Sequence, residues 1–288
     1  MINFLKYKWV YFLISAIVIV SGLFSIFRWG YRFSIDFVGG TNLDYQFSKK
    51  IVFSSVQQAV QKEKIEPVEY SFTGSALSLR TKAMTDSQET NFKSDLEKTT
   101  GSKVTVLRYE TVGPLLGKET MVKTGIASLL AILGILIYMS FAFKGFDYAF
   151  SAILAMIHDL LVVLGTYSLM SHFYHAEVDT MFVTAVLTAM SFSVHDTIII
   201  FDKIREYFRE EGKAEMEYYA DRALTETLVR SVNNSMTIIF MLLALSLMGG
   251  DTIRFFIITL LIGTVTGTYS SPFVATPILV WLEKKRKK

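Results

Sequence analysis

The chain has 288 residues, with 29 Lys or Arg against 26 Asp or Glu, a formal net charge of +3. Hydrophobic residues make up 51% and charged residues only 19%, where an average soluble domain carries about 25% charged residues. That balance excludes a disordered chain and an ordinary water-soluble domain, and it points to an integral membrane protein. The absence of cysteine excludes disulfides, iron–sulfur clusters and thiol catalysis. Four histidines, at 158, 172, 175 and 195, stand in no metal-ligand spacing, so no metal and no cofactor is expected. No glycine-rich phosphate loop is present, and nothing suggests nucleic-acid binding.

About 20 consecutive apolar residues cross a bilayer as a helix. Six candidates follow in order, at 9–27, 121–143, 148–170, 178–201, 232–248 and 253–281. The first follows Lys6 and Lys8 but lacks an Ala-x-Ala site, so it reads as a retained anchor rather than a cleaved signal. Pro272 and Pro277 predict a kink near the end of the last. Basic residues gather in alternate loops. Lys6, Lys8, Lys144, the stretch 203–230 and the tail 284–288 fall on one side, against Arg254 on the other. This bias predicts cytoplasmic termini. The segment 202–221 mixes both signs and reads as an amphipathic helix on the membrane surface. The basic tail reads as an anchor to anionic lipid.

Three domains of the chain follow: 1–29 as N-terminus and first span, 30–119 outside the cytoplasm, and 120–288 as the remaining spans with a cytoplasmic loop at 202–231. The segment 30–119 carries 12 basic and 11 acidic residues. Alternation predicts strands at 41–47, 67–72, 75–81 and 103–110, with a turn at Gly74. Helical spacing predicts helices at 53–64, capped by Ser54, and at 85–99, capped by Thr85 or Asp86. The order β-α-β-β-α-β is that of an α+β ferredoxin-like unit. The expected fold is thus a bundle of six transmembrane helices with such a domain between the first two.

Ionisable groups inside a bilayer are costly and mark functional sites. His158 and Asp159 fall near the middle of the third span, about 11 residues from Tyr148. Adjacent on a helix, they point about 100° apart, and polar glue between helices is the alternative to a functional role. The fourth span holds Ser191, Ser193, His195, Asp196 and Thr197, and the fifth opens with Arg230, Asn233, Asn234, Ser235 and Thr237. Asp196 and Arg230 reach similar depth if the fifth helix starts near Ala223. A pair that alternates between bound and parted would take and release a proton; a static ion pair gluing the helices is the alternative. His195 reads either as a relay beside Asp196 or as a packing histidine. His172 and His175 fall in a short loop and read as solvated. Gly263 and Gly267 form a GxxxG that permits close helix approach.

Several motifs resemble those of the SecF family, the smaller membrane subunit of the bacterial SecD–SecF complex, within the resistance-nodulation-division superfamily. SIDFVGGT at 34–41, with Asp36, Gly39, Gly40 and Thr41, is similar to G-x-D-F-x-G-G-T. VGPLLG at 112–117, with Gly113, Pro114 and Gly117, is similar to V-G-P-x-x-G. The His-Asp pair at 158 and 159, SVHDTIIIFDKIRE at 193–206 and LTETLVRS at 224–231 continue the series in order. Departures are His195 where Asn or Gly is usual, Ser191 for Gly, and Ser231 and Asn234 where Thr is common.

The resemblance implies a non-enzymatic role in protein export across the bacterial inner membrane, driven by the proton motive force. It implies SecD and the SecYEG channel as partners, YajC and YidC as further candidates, and an unfolded preprotein as cargo. By the family pattern Asp196 is the protonatable carboxylate and Arg230 its basic partner. A half-unit of a small-molecule or lipid exporter, an intramembrane aspartyl protease and a structural scaffold are the competing readings.

Overall fold

The computed structural model describes residues 3–63, 65–143, 145–212 and 215–286. Lys64, at the end of a predicted helix, and Lys144, Lys213, Lys287 and Lys288, counted in the charge bias, lie outside the described residues. In chain order the elements are α1 (Lys8–Trp29), β1 (Arg32–Phe33), α2 (Ile35–Val38), β2 (Gly40–Phe47), α3 (Phe53–Lys62), β3 (Pro67–Phe72), β4 (Ala76–Thr81), α4 (Asp86–Thr100) and β5 (Val104–Val112). They continue with α5 (Pro114–Ala142), α6 (Phe146–Tyr174), β6 (Glu177–Val178), α7 (Thr180–Glu211), α8 (Met216–Met248), α9 (Asp251–Ser270), a π-helical turn (Ser271–Ala275) and α10 (Thr276–Arg286). The chain divides into two compact units, Met1–Arg32 with Ala127–Lys288, and Phe33–Ile126.

The first unit is a bundle of long apolar helices. Six helical stretches among the described residues are long and apolar enough to cross a membrane: Leu5–Trp29, Pro114–Ala142, Phe146–Tyr174, Thr180–Glu211, Met216–Met248 and Thr252–Arg286. The chain is a multi-pass membrane protein. In lipid, helices associate through close packing and polar contacts, because hydrocarbon offers no hydrophobic drive. The pairing of α1 with α6 follows that rule. A Cβ on Gly22 would lie 2.7 Å from the Gly165 Cα, so only glycine lets these backbones meet. Beside this contact Ser25 Oγ and Ser168 Oγ share a hydrogen bond of 2.8 Å.

One expectation about this unit needs correction. The stretch 202–231 is not a loop with a separate surface helix. Instead α7 continues to Glu211, the chain turns at Gly212 (φ +66°), and α8 begins at Met216. Charged side chains keep this helical hairpin solvated while its inner face stays apolar, with Phe201, Ile204, Tyr207, Tyr219 and Leu224 all buried. In the last span the two prolines produce a π-helical turn between α9 and α10, with Pro272 inside it. Proline has no N–H to donate, and the helix absorbs the loss by slipping its register.

The second unit contains a four-stranded sheet in the order β3-β4-β2-β5, antiparallel throughout. Strand β2 alternates, placing Leu43, Tyr45 and Phe47 in the core with Leu77 and Leu79 of β4. Val56 and Ala59 of α3 and Phe92 and Leu96 of α4 close over them. Helix α4 starts with a capping box between Thr85 and Gln88, which satisfies two amides left free at a helix start. Ser54 is not the cap of α3. That helix begins at Phe53, its N-cap is Val52, and no side chain caps it.

The glycine motifs meet inside this unit. Ser34 Oγ accepts from the Asp36 amide, and α2 makes one turn before Gly39 reverses the chain at φ +76°. A Cβ on Gly39 would sit 2.7 Å from the Pro114 Cα, and one on Gly117 would sit 2.7 Å from the Gly39 nitrogen. Thr41 follows and binds across the sheet, its Oγ1 2.9 Å from Thr111 Oγ1 while accepting from the Met84 amide at 2.8 Å. The residues SIDFVGGT and VGPLLG are therefore two sides of one tight backbone contact.

Candidate functional site

Helices α6, α7 and α9 bring a polar cluster into the interior of the helical unit. Close backbone approach makes room for it. A Cβ on Gly263 would lie 2.2 Å from the Ala189 Cβ, and one on Gly267 would lie 2.9 Å from the Ser193 Cα. With α7 and α9 this near, the last hydroxyls of α9 reach a carboxylate on α6. Ser193 Oγ donates to Asp159 Oδ2, and Ser270 Oγ donates to the same oxygen at 2.7 Å. His158 Nδ1 lies 2.8 Å from Asp159 Oδ1. Thr197 Oγ1 and Ser271 Oγ are 2.8 Å apart one helical turn further along. His158, Asp159, Ser193 and Thr197 are thus brought together and buried.

Asp196 turns away from this cluster, toward α8. It is 2% exposed and accepts a hydrogen bond from Ser231 Oγ. His195, Asp196, Thr227, Arg230, Ser231 and Asn234 line a cavity of about 190 Å³ between α7 and α8. Arg230 and Asp196 share this cavity, yet no ion pair joins them among the described residues. Helix geometry explains it: Ser231 is rotated about 100° from Arg230, and it is Ser231 that faces α7. Arg230 points to the exposed side of α8 with Asn233 and Asn234, while Ser235 is buried and accepts from Thr268 Oγ1 at 2.7 Å.

Other sequence-derived residues fall elsewhere. His195 is exposed, one step round the helix from Asp196. His172 is exposed, as expected, and is also in contact with an aromatic neighbour. Its ring stacks on Trp29 at 4.2 Å and 4°, within an aromatic group that includes Phe173. Among the described residues no set of three or more His, Cys, Asp or Glu could hold a metal ion.

Sequence reasoning missed four partners. Ser231 and Ser270 are the donors to the two buried carboxylates, and Tyr269 stands beside His158. Nothing in a run of small hydroxyl residues says which will face an acid across a helix interface. The fourth is Asp221, a buried carboxylate on α8 that accepts from the amides of Phe4 and Leu5 at 3.0 and 3.2 Å. It caps the start of the N-terminal helix from 216 residues away, a pairing with no local signature.

Comparison with known proteins places this geometry. Residues 91–285 match the family described as "Protein export membrane protein SecD/SecF, C-terminal". A protein translocase subunit SecF of Thermobaculum terrenum is 39% identical, covering 99% of this chain and 95% of its own. That of Pseudomonas aeruginosa is 32% identical, over 98% and 91%. A crystal structure of SecDF, a translocon-associated membrane protein from Thermus, superposes with a TM-score of 0.84 at 27% identity. It covers 98% of this chain, which spans 39% of that longer one. A SecDF structure in a super-membrane-facing form gives 0.64 at 25% identity. The chain belongs to the SecF family of protein translocase subunits.

Proposed function

We propose that this SecF-family component of the Sec export machinery couples the proton motive force to preprotein movement through Asp196. The observation that carries the reading is a buried carboxylate in a cavity between two helices, held by a neutral hydroxyl, with an arginine at the rim. A neutral donor stabilises the carboxylate less than a guanidinium would. The carboxyl group can therefore exchange its proton with modest rearrangement. Neutralising Asp196 removes the charge that Ser231 answers, and α8 is then free to shift against α7. One charge moved through about 100 mV yields about 2.3 kcal/mol, enough to bias a conformational equilibrium roughly fifty-fold per proton.

SecD is the proposed membrane partner. Arg230, Asn233 and Asn234 are exposed on α8 inside a span, where lipid would leave their side chains unsatisfied and a second subunit would cover them. The unit 33–126 is read as a ferredoxin-like domain outside the cytoplasm. Its support is the β-α-β-β-α-β order, the antiparallel sheet and the basic bias of the opposite loops. Both termini are then cytoplasmic, and the bacterial inner membrane is the site. The domain would act on the emerging chain near SecYEG, with YajC and YidC as accessory partners.

The test is export in cells lacking the native protein, with assembly monitored by SecD co-purification. Asp196→Asn is expected to reduce export to the level of the deletion while the complex still forms. Normal export by Asp196→Asn would overturn the reading.

A further inference from the structure

The His158–Asp159 pair takes no part in the Asp196 cavity. It is buried, with His158 at 7% exposure and Asp159 at 3%. Three donors from three helices converge on the carboxylate: the His158 imidazole of α6, Ser193 of α7 and Ser270 of α9. Both carboxylate oxygens are thereby engaged, Oδ1 by the imidazole and Oδ2 by the two serines. With hydrogen on Nδ1 facing Asp159, the imidazole presents its Nε2 lone pair as an acceptor. Nε2 faces the Tyr269 hydroxyl at 3.4 Å, and the two rings meet edge to face at 87°. Tyr269 is only half-buried.

Among the described residues no lysine or arginine forms an ion pair with Asp159. From α9 the facing ionisable group is Tyr269, and from α7 it is the neutral Ser193, with Asp196 turned toward α8. The π-helical turn offers Ser271, and α1 contributes the buried hydroxyl of Ser15 and the ring of Tyr11. On α10, Arg286 pairs with Asp147 and Glu283. Asp147 lies twelve residues before Asp159, about 18 Å along α6. A neutral imidazole therefore leaves the pair with one net negative charge in a low-dielectric core. One bound proton removes that net charge.

We propose that His158–Asp159 is a second proton-binding site of the helical unit, in which the proton is bound on His158 Nε2 and Asp159 stays a carboxylate. Uptake forms one N–H bond at Nε2 and breaks none in the protein. The Tyr269 oxygen then accepts from that N–H, and the pair passes from one negative charge to zero. The site is distinct from Asp196 but shares α7 with it, since Ser193 stands three residues before Asp196.

The test uses the full chain, labelled with ¹⁵N-histidine and co-purified with unlabelled SecD into lipid vesicles. Only four histidines are present, so their signals are separable. The expected result is a resonance absent from His158→Gln that changes from a neutral Nδ1–H tautomer to imidazolium between about pH 9 and about pH 5. It should persist in Asp196→Asn, which separates this site from the coupling assigned to Asp196. In Asp159→Asn its midpoint should move by roughly one pH unit or more. If the His158 resonance stays a single neutral tautomer throughout, the pair is polar glue and the proposal fails. Should His158→Gln not assemble, Tyr269→Phe identifies the resonance by loss of its Nε2 partner, and the same two outcomes decide.

Discussion

Asp196 on α7 takes its hydrogen bond from Ser231 on α8, and not from Arg230 one residue earlier. The acid and the base border one cavity without forming an ion pair. A hydrogen bond to a charged group is worth about 1.5–3 kcal/mol. Ser231→Ala is therefore expected to lower export several-fold, less than Asp196→Asn, with SecD co-purification unchanged. Ser231→Thr restores the hydroxyl and should export near the wild-type level. Equal export by Ser231→Ala and wild type would mean that the hydroxyl has no part in positioning the carboxylate.

Close approach of α7 and α9 carries the second prediction. Gly267→Leu places side-chain atoms where Ser193 already lies, 2.9 Å from the first added carbon. Overpacking of this kind typically costs 1–3 kcal/mol or more. The variant should show a lower unfolding temperature in detergent and reduced recovery with SecD. Gly134→Ala in α5 meets nothing within 4 Å and should leave both unchanged.

In the second unit, Gly39→Ala combines a left-handed backbone at φ +76° with a contact of 2.7 Å to Pro114. Gly74→Ala has a similar φ of +81° but open space around it. The left-handed conformation alone costs about 1–2 kcal/mol. Gly74→Ala should lose about that much, and Gly39→Ala clearly more. Denaturant unfolding of the full chain, followed by protease protection of residues 33–126, would rank them. An equal loss for both would show that the Pro114 contact relaxes at no cost.

Acid should weaken the same unit through Asp95. The Lys62 ammonium, 2.6 Å away, holds this carboxyl below the usual aspartate range. Its folded value lies under the unfolded value of about 3.9, so the added stability is complete above that pH and is lost as pH falls through the folded value. Protease protection of the unit should drop on acidification below about pH 4, and Lys62→Ala should flatten that dependence. Tyr109 works at the other end. Burial, with help from its bond to Asp86, pushes its hydroxyl up to about 12, so it stays neutral through ordinary alkaline conditions.

Periodicity and composition located six spans and the strand and helix segments of the inserted domain, because bilayer thickness and core packing each demand a repeating apolar pattern. The boundaries moved where hydrogen bonding continued past the apolar run. Helix α7 extends to Glu211 because charged residues form a helix as readily as apolar ones once it has begun. Local chemistry narrowed the cap of α4 to Thr85 or Asp86, of which the structure selects Thr85, but misled at Ser54, where the chain enters α3 from Val52 without a side-chain cap.

Asp159 and Asp196 were readable from the chain as buried acids, since an aspartate within an apolar run has few explanations, whereas Asp221 was not. Their partners were not. Ser231, Ser270 and Tyr269 sit 35, 111 and 111 residues from the groups they meet. Which hydroxyl faces which carboxylate depends on helix rotation and on how closely the glycines of α9 let it approach α7. Rotation and separation come from packing many side chains at once. They leave no period in the sequence, so the folded chain alone assigns Ser231 rather than Arg230 to Asp196.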